Sequence, residues 1–260
     1  MAESFIKTNK SLGQHWLTDL NSLNAMCEAA EVDSSDVILE VGPGPGSLTS
    51  LLVNQAKEVV AIELDKLLAI RLNNKRIDNL QVINEDILKF NLNDLPKNYK
   101  LVANIPYYLT SNLIRVISES DNPPKLAAML VQKEVAERLA AQPGKMSVLS
   151  VTAQFYSEIS LGQVIGSQLF TPPPKVDSQI VILKRRNQPL FSDVSPEQYF
   201  KVVKAGFSQK RKTILNSLSS GLHKDHKTVA AYLSQTGIED KRRAQALTLE
   251  EWHQLTIAIT

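Results

Sequence analysis

The chain has 260 residues, 43% hydrophobic and 22% charged, enough for one large or two modest domains with a proper core. Its net charge of +2 is split unevenly: residues 184–260 hold 13 basic and 7 acidic side chains (+6), against 16 and 20 (−4) in residues 1–183. No apolar run approaches the roughly 20 residues of a membrane span, residues 1–10 lack the apolar stretch of a signal peptide, and the lone Cys27 excludes a disulfide framework or a cysteine-based metal site. These features predict a cytoplasmic protein with no membrane partner. The histidines (15, 223, 226 and 253) show no zinc spacing, so no metal is expected. The basic tail on an acidic body points to a polyanionic partner held by the tail.

In chain order, Lys7 and Lys10 precede Ser11-Leu12-Gly13-Gln14-His15-Trp16-Leu17. Thr18 or Asp19 can cap a helix from about Leu20, and Trp16 and Leu17 before that cap suit an anchor to the body. Val37-Ile38-Leu39 reads as a strand, Glu40-Val41-Gly42-Pro43-Gly44-Pro45-Gly46 as a loop, and Ser47 opens a helix: the first step of a βαβ unit. Glycine at every second position serves a backbone that turns sharply and lets a ligand approach. The intervening prolines stiffen the loop, so less entropy is lost on docking. The loop lacks the Lys-Ser/Thr of a triphosphate cradle and departs from the dinucleotide spacing G-x-G-x-x-G.

Glu58 to Glu63 is a second strand, ending in an acid about twenty positions after the first glycine. A carboxylate there can accept from both ribose hydroxyls of an adenosyl ligand and disfavours a 2′-phosphate; Asp65 is the neighbouring alternative. A helix spans residues 66–76. The third strand, Leu80 to Asn84, leads to Asp86, suited to the adenine amino edge, with Ile87 against its ring. The three strand ends form a series, and open α/β sheets bind ligands outside the carboxyl ends of their strands.

A fourth strand, Lys100 to Ala103, runs into Asn104-Ile105-Pro106-Tyr107. This tetrad resembles the (N/D/S)-(I/P)-P-(Y/F) motif of enzymes that methylate exocyclic amines, and the chemistry of such an amine explains its residue types. The lone pair of an adenine N6 is delocalised into the ring, so the nitrogen is a poor nucleophile. The Asn104 side-chain oxygen and the Ile105 carbonyl can accept from its two N–H groups and favour a pyramidal nitrogen. Pro106 fixes the chain so that both acceptors converge. Tyr107 offers a face on which an extruded base can stack. No strong base is required when the methyl group sits on a sulfonium.

Downstream, Leu126 to Gln132 is a buried fifth strand, Lys133 to Ala141 and Ser147 to Tyr156 are helical, and Val176 to Leu183 is the last strand. The stiff loop Phe170-Thr171-Pro172-Pro173-Pro174-Lys175 precedes that strand. Beyond Lys184-Arg185-Arg186 only short helices follow, with Ser195-Pro196 and Thr248 as caps. Lys210-Arg211-Lys212 and Lys241-Arg242-Arg243 form two basic clusters suited to RNA phosphates.

Five ordered motifs carry a family resemblance. Glu40-x-Gly42-x-Gly44-x-Gly46 resembles the nucleoside-binding loop of methyltransferases that use S-adenosylmethionine, and Asn104-Ile105-Pro106-Tyr107 the (N/D/S)-(I/P)-P-(Y/F) motif of amine methylases. Lys10 to Leu17 resembles K-x-L-G-Q-N-F-L, with His15 where Asn and Trp16 where Phe is usual. Phe170 to Ser178 resembles F-x-P-x-P-K-V-D-S, and Phe207 to Leu218 resembles F-x-x-R-R-K-T-L-x-N-x-L, with Lys210 for the first Arg. From Lys10 to Trp252 the chain resembles the bacterial small-subunit ribosomal RNA adenine N6,N6-dimethyltransferases.

The resemblance implies an α/β fold: a Rossmann-like S-adenosylmethionine-binding domain over residues 1–186 and a small all-helical RNA-binding domain over 187–260. It implies that S-adenosylmethionine meets His15, Leu17, Gly42, Glu63, Asp86 and Asn104. Backbone contacts at position 15 would survive the exchange of Asn for His, and the resemblance leaves open whether the His15 side chain touches the cofactor as well. Phe170 would pack on the target base opposite Tyr107, with Asn104 at the reacting nitrogen. Lys210, Arg211, Lys212, Arg242 and Arg243 would hold RNA. The implied reaction moves four methyl groups to two adjacent adenines near the 3′ end of small-subunit RNA, in a partly assembled subunit, by a monomer. The large-subunit methyltransferase of macrolide resistance shares these motifs, but the full proline loop and Leu12-Gly13-Gln14 favour the first family. A non-catalytic nucleic-acid binder is opposed by the intact Glu63, Asp86 and Asn104–Tyr107.

Overall fold

The computed structural model describes residues 13–260; Lys7, Lys10, Ser11 and Leu12 lie outside the described residues. The chain forms two units. One takes in the chain up to Ala136 and Glu158–Arg185, the other Glu137–Ser157 and Arg186–Thr260. Among the described residues no helix is long and apolar enough to cross a membrane.

The first unit is built on a seven-stranded sheet. Its strands are β2 (Val37–Val41), β3 (Glu58–Ile62), β4 (Leu80–Ile83), β5 (Lys100–Asn104), β6 (Leu126–Gln132), β7 (Ser157–Ile165) and β9 (Ser178–Arg185). Their spatial order is β4-β3-β2-β5-β6-β9-β7. Strands β2 to β6 are parallel, and β9 returns antiparallel to β6. Chain order therefore runs outward from β2 to β4 and restarts on the other side at β5. The reversal between β2 and β5 opens a crevice at their carboxyl ends. The glycine loop leaves β2 and Asn104 closes β5, so the topology brings the two most informative motifs to one place. The central strands are continuous apolar runs, buried on both faces as parallel sheets require.

Local signals set the helices. Asp19, rather than Thr18, caps α1 (Leu20–Ala29), accepting from Ser22 N at 2.8 Å. Helix α2 (Ser47–Gln55) starts directly after Gly46. Asp65 caps α3 (Lys66–Asn73), which stops short of the expected Arg76 because Arg76 itself turns left-handed, at φ +50°. Helix α4 (Thr110–Glu119) was not anticipated, although Leu113, Ile114 and Ile117 give it a buried stripe at helical spacing. A two-stranded antiparallel pair joins β1 (Trp16–Leu17) to β8 (Phe170–Thr171), with Leu17 opposite Phe170.

At the amino edge of the sheet, opposite the crevice, buried Asp36 is paired with both Lys100 (2.7 Å) and Lys125 (2.9 Å), and Lys100 also donates to the Glu31 carbonyl. Burial opposes the charge on Asp36, but the lysine hydrogen bonds outweigh it and hold its pKa below the usual range.

The second unit is helical: α6 (Val148–Tyr156), α7 (Pro196–Phe207), α8 (Ile214–Leu222), α9 (His226–Gln235) and α10 (Leu249–Ile259). Trp252, Tyr199 and Phe155 are fully buried in its core. The expected N-terminal domain of residues 1–186 is thus interrupted. Residues 137–157 belong to the helical unit because Val151, Phe155 and Tyr156 pack in one cluster with Tyr199, Phe200 and Trp252. Alternation of strands and helices cannot reveal such a return, because α6 precedes a strand like any other helix of an α/β chain.

Candidate active site

A cavity of about 170 Å³ lies at the carboxyl ends of the central strands. All six residues expected to meet the cofactor line it, His15, Leu17, Gly42, Glu63, Asp86 and Asn104, together with Tyr107 and Phe170. Residues of the first unit alone form this wall.

The glycine loop is the first part of the site. Gly42, Gly44 and Gly46 have φ of +68°, +56° and +90°, conformations that a side chain would strain. Gly44 N donates to a Glu63 carboxylate oxygen at 3.0 Å, and Asp65 N donates to the other at 2.8 Å. Burial pushes the Glu63 pKa up, and these two amides oppose the shift. Both oxygens keep a lone pair for further donors. Asp65, the alternative ribose acid, is already occupied: its Oδ1 accepts from Leu67 N and Leu68 N as the cap of α3. Asp86 bends its own loop, accepting from Leu88 N at 3.0 Å.

Glu40, at the heart of the motif, was not singled out from the sequence. It is 1% exposed, and neither carboxylate oxygen has a hydrogen-bond partner. Burial, reinforced by the charge of Glu63, pushes the Glu40 pKa up to about 8. The Thr49 hydroxyl and amide stand nearest and pull the Glu40 pKa down, although neither reaches hydrogen-bonding geometry. The contrast with Asp36 is informative: the acid at the amino edge has two lysines, and the acid at the crevice has none. A buried, unpaired carboxylate facing a cavity fits a cationic ligand. Trp16 and Tyr108 were also missed as site residues. The Trp16 indole N–H is buried without a partner beside Gly44, and Tyr108 stands 58% exposed beside Gly13 at the cavity.

The Asn104 side chain is oriented by its surroundings. Its Nδ2 donates to the His15 carbonyl at 3.3 Å. A carbonyl only accepts, so the amide cannot be flipped, and Oδ1 is turned away from His15. Tyr107 places its hydroxyl 3.0 Å from Ser178 Oγ. Phe170 lines the same cavity as Tyr107. It is 3% exposed and packs in the core with Leu17 and Leu23, because its register opposite Leu17 carries it inward. The ring stacked on Tyr107 is that of His15, with centroids 5.9 Å apart and planes inclined by 23°.

The basic clusters lie in the second unit. Lys210, Arg211 and Lys212 occupy the turn between α7 and α8. Ile214 N donates to the Arg242 carbonyl (2.6 Å) and Leu215 N to that of Asp240 (3.4 Å), which brings the second cluster beside the first. Lys210, Arg211, Lys212, Lys241 and Arg243 are exposed. Arg242 is not available in the same way: its guanidinium binds both carboxylate oxygens of Glu251 and the Ala246 carbonyl.

Sheet order, glycine loop and strand-end acids together define a Rossmann-like methyltransferase that uses S-adenosylmethionine. The model of the ribosomal RNA adenine dimethylase family matches residues 5–260, and the chain belongs to that family. It is 41% identical to the ribosomal RNA small subunit methyltransferase A of Dehalococcoides mccartyi, over 98% of this chain and 89% of that protein. Among solved structures it is similar to a dimethyladenosine transferase of Plasmodium falciparum (TM-score 0.77, 27% identity, 93% of this chain and 96% of that one). It is also similar to the 23S rRNA methyltransferase ErmE (TM-score 0.74, 30% identity, 94% and 98%).

Proposed function

We propose that this enzyme dimethylates the N6 amines of two adjacent adenines near the 3′ end of small-subunit ribosomal RNA, acting as a monomer on a partly assembled subunit. The observation that carries the chemistry is the fixed amide of Asn104, whose free oxygen sits at the crevice beside the glycine loop. Similarity to the small-subunit enzyme, higher than to ErmE, supports the small-subunit target. One complete cavity within a single chain suits a monomer.

Bound S-adenosylmethionine supplies an electrophilic methyl group on a sulfonium. Gly42 and Gly44 would let the backbone approach it, Glu63 would accept from the ribose hydroxyls, and Asp86 would accept from the adenine amine. The main chain at His15, and Leu17, would border it. Glu40, the unpaired acid, would hold its ammonium. Asn104 Oδ1 and the Ile105 carbonyl accept from the target N6–H groups, turning the lone pair toward the methyl group. The proton released after transfer leaves to solvent.

The Glu40 assignment predicts proton linkage. With a pKa of about 8 the carboxyl is largely protonated at pH 7. Pairing with a cation ionises it, so cofactor binding should release up to about one proton at pH 7. Affinity should rise with pH and level off above about 8. Calorimetry in buffers of different ionisation enthalpy measures this release. Glu40→Gln should abolish both the release and the pH dependence; a proton count unchanged in that variant would remove Glu40 from the cofactor site.

We assign RNA binding to Lys210, Arg211, Lys212 and Arg243, with Arg242 bracing the loop that carries Arg243. The first amides of α8 are already taken by Arg242, Asp240 and the Thr213 cap, so phosphates would meet side chains here. Replacing Lys210, Arg211 and Lys212 together with Ala should weaken RNA binding and lower its log–log salt slope by about 0.7–0.9 per lost phosphate contact. Cofactor affinity should hold. Filter binding across a salt series decides it, and an unaltered slope would leave the cluster as a solvated turn.

A further inference from the structure

We propose that His15 is a positioning residue for the methyl-acceptor base: its side chain clamps Tyr107 to the proline loop and so fixes the platform on which the base stacks. This rests on the assignment of Tyr107 as that platform. The His15 Nδ1 lies 2.7 Å from the Pro172 carbonyl. Because that oxygen only accepts, Nδ1 carries the proton. The imidazole then lies along the Tyr107 ring in an offset stack, 5.9 Å between centroids. Tyr107 is therefore held at two points, on its rim by the buried Ser178 and on one face by His15. The His15 carbonyl meanwhile accepts from Asn104.

One residue thus joins three segments that are distant in the chain: the N-terminal strand β1, the Asn104–Tyr107 turn and the loop after β8. Main-chain pairing of Trp16 with Thr171 sets the distance across which the clamp closes. A stacking surface contributes most when its ring is already immobile, since a free side chain gives up rotamer entropy on capture. With His15 over one face, the base takes the other. The side chain of position 15 is spent on the base platform and only its backbone is left toward Asn104, which separates its role from that of a cofactor ligand.

Three substitutions separate the two contacts. His15→Asn keeps an N–H donor at the Nδ1 position and loses the ring; His15→Phe keeps the ring and loses the donor; His15→Ala loses both. Single-turnover methyl transfer on undermethylated small subunits gives the half-saturation for RNA, with cofactor affinity from calorimetry on the same proteins. His15→Ala should raise the RNA half-saturation about five- to tenfold, the scale of one lost hydrogen bond plus a ring contact, and leave cofactor affinity within about twofold. His15→Asn and His15→Phe should each recover part of the loss. In a Tyr107→Ala background His15→Ala should add nothing, because it acts through that ring. Equal losses of cofactor and RNA affinity in His15→Ala would overturn the inference, as would a loss that persists without Tyr107. A silent His15→Ala beside an impaired Tyr107→Ala sinks the clamp alone; a silent Tyr107→Ala sinks the platform and the clamp with it.

Discussion

An Asn104→Ala enzyme is expected to bind cofactor almost as well as wild type and to transfer methyl groups about 10²–10³ times more slowly, the scale of losing one preorganised polar contact to a transition state. The amide is held by its Nδ2 contact to the His15 carbonyl, so its oxygen needs no reorganisation when the base arrives. That oxygen gains most as the target nitrogen turns pyramidal. An interaction that strengthens toward the transition state appears in kcat rather than in binding. Tyr107→Ala should behave differently, removing a stacking surface worth roughly 1–3 kcal/mol and raising the RNA half-saturation first. Single-turnover rates at saturating RNA separate the two variants. An Asn104→Ala enzyme within about threefold of wild type, far short of a transition-state contact, would remove Asn104 from the chemistry.

Glu63→Ala should weaken S-adenosylmethionine binding at least about a hundredfold. Two charge-assisted ribose bonds are lost, each worth roughly 1.5–3 kcal/mol. The loss reaches further than the ligand contacts, because the same carboxylate ties Gly44 N to Asp65 N and so braces the glycine loop. Glu63→Gln tests the two parts separately. It keeps one oxygen acceptor but must turn an NH₂ group toward either Gly44 N or Asp65 N, a donor facing a donor. Its affinity should therefore fall nearly as far as that of Glu63→Ala, with little change in volume. Titration calorimetry supplies the numbers; a Glu63→Gln protein of wild-type affinity would show that neither the charge nor the second acceptor matters.

Much of the site was legible because parallel α/β topology converts chain order into position. Once the strands before Gly42, Asp86 and Asn104 are recognised, their carboxyl ends must share an edge, and the residues just beyond them must meet. Spacing favours Glu63 over Asp65 for the ribose, and the structure adds that Asp65 is engaged as the cap of α3. What stayed illegible is the choice of partner between distant segments. Nothing in the proline loop says that Phe170 pairs opposite Leu17 or that His15 stacks on Tyr107. Those outcomes follow from the β1–β8 register, a contact between residues about 155 positions apart in a two-residue strand pair too short to carry a periodic signal. Arg242 resembles its basic neighbours in sequence, and only the fold brings Glu251 to it.

The unpaired Glu40 makes this molecule a trap for protein engineering. A carboxyl with a pKa raised to about 8 contributes stability that is present at low pH and drains away as pH rises from its ordinary range through about 8. A search for stabilising mutations at neutral or alkaline pH would therefore select Glu40→Gln early, as an isostere that folds without having to take up a proton. The variant would resist heat better than the parent at that pH. It would also have lost the group that recognises the ligand's cation, and melting temperature would rank it above the enzyme it came from. Only a screen run with cofactor present, where binding energy returns to the folded state, would order the two correctly.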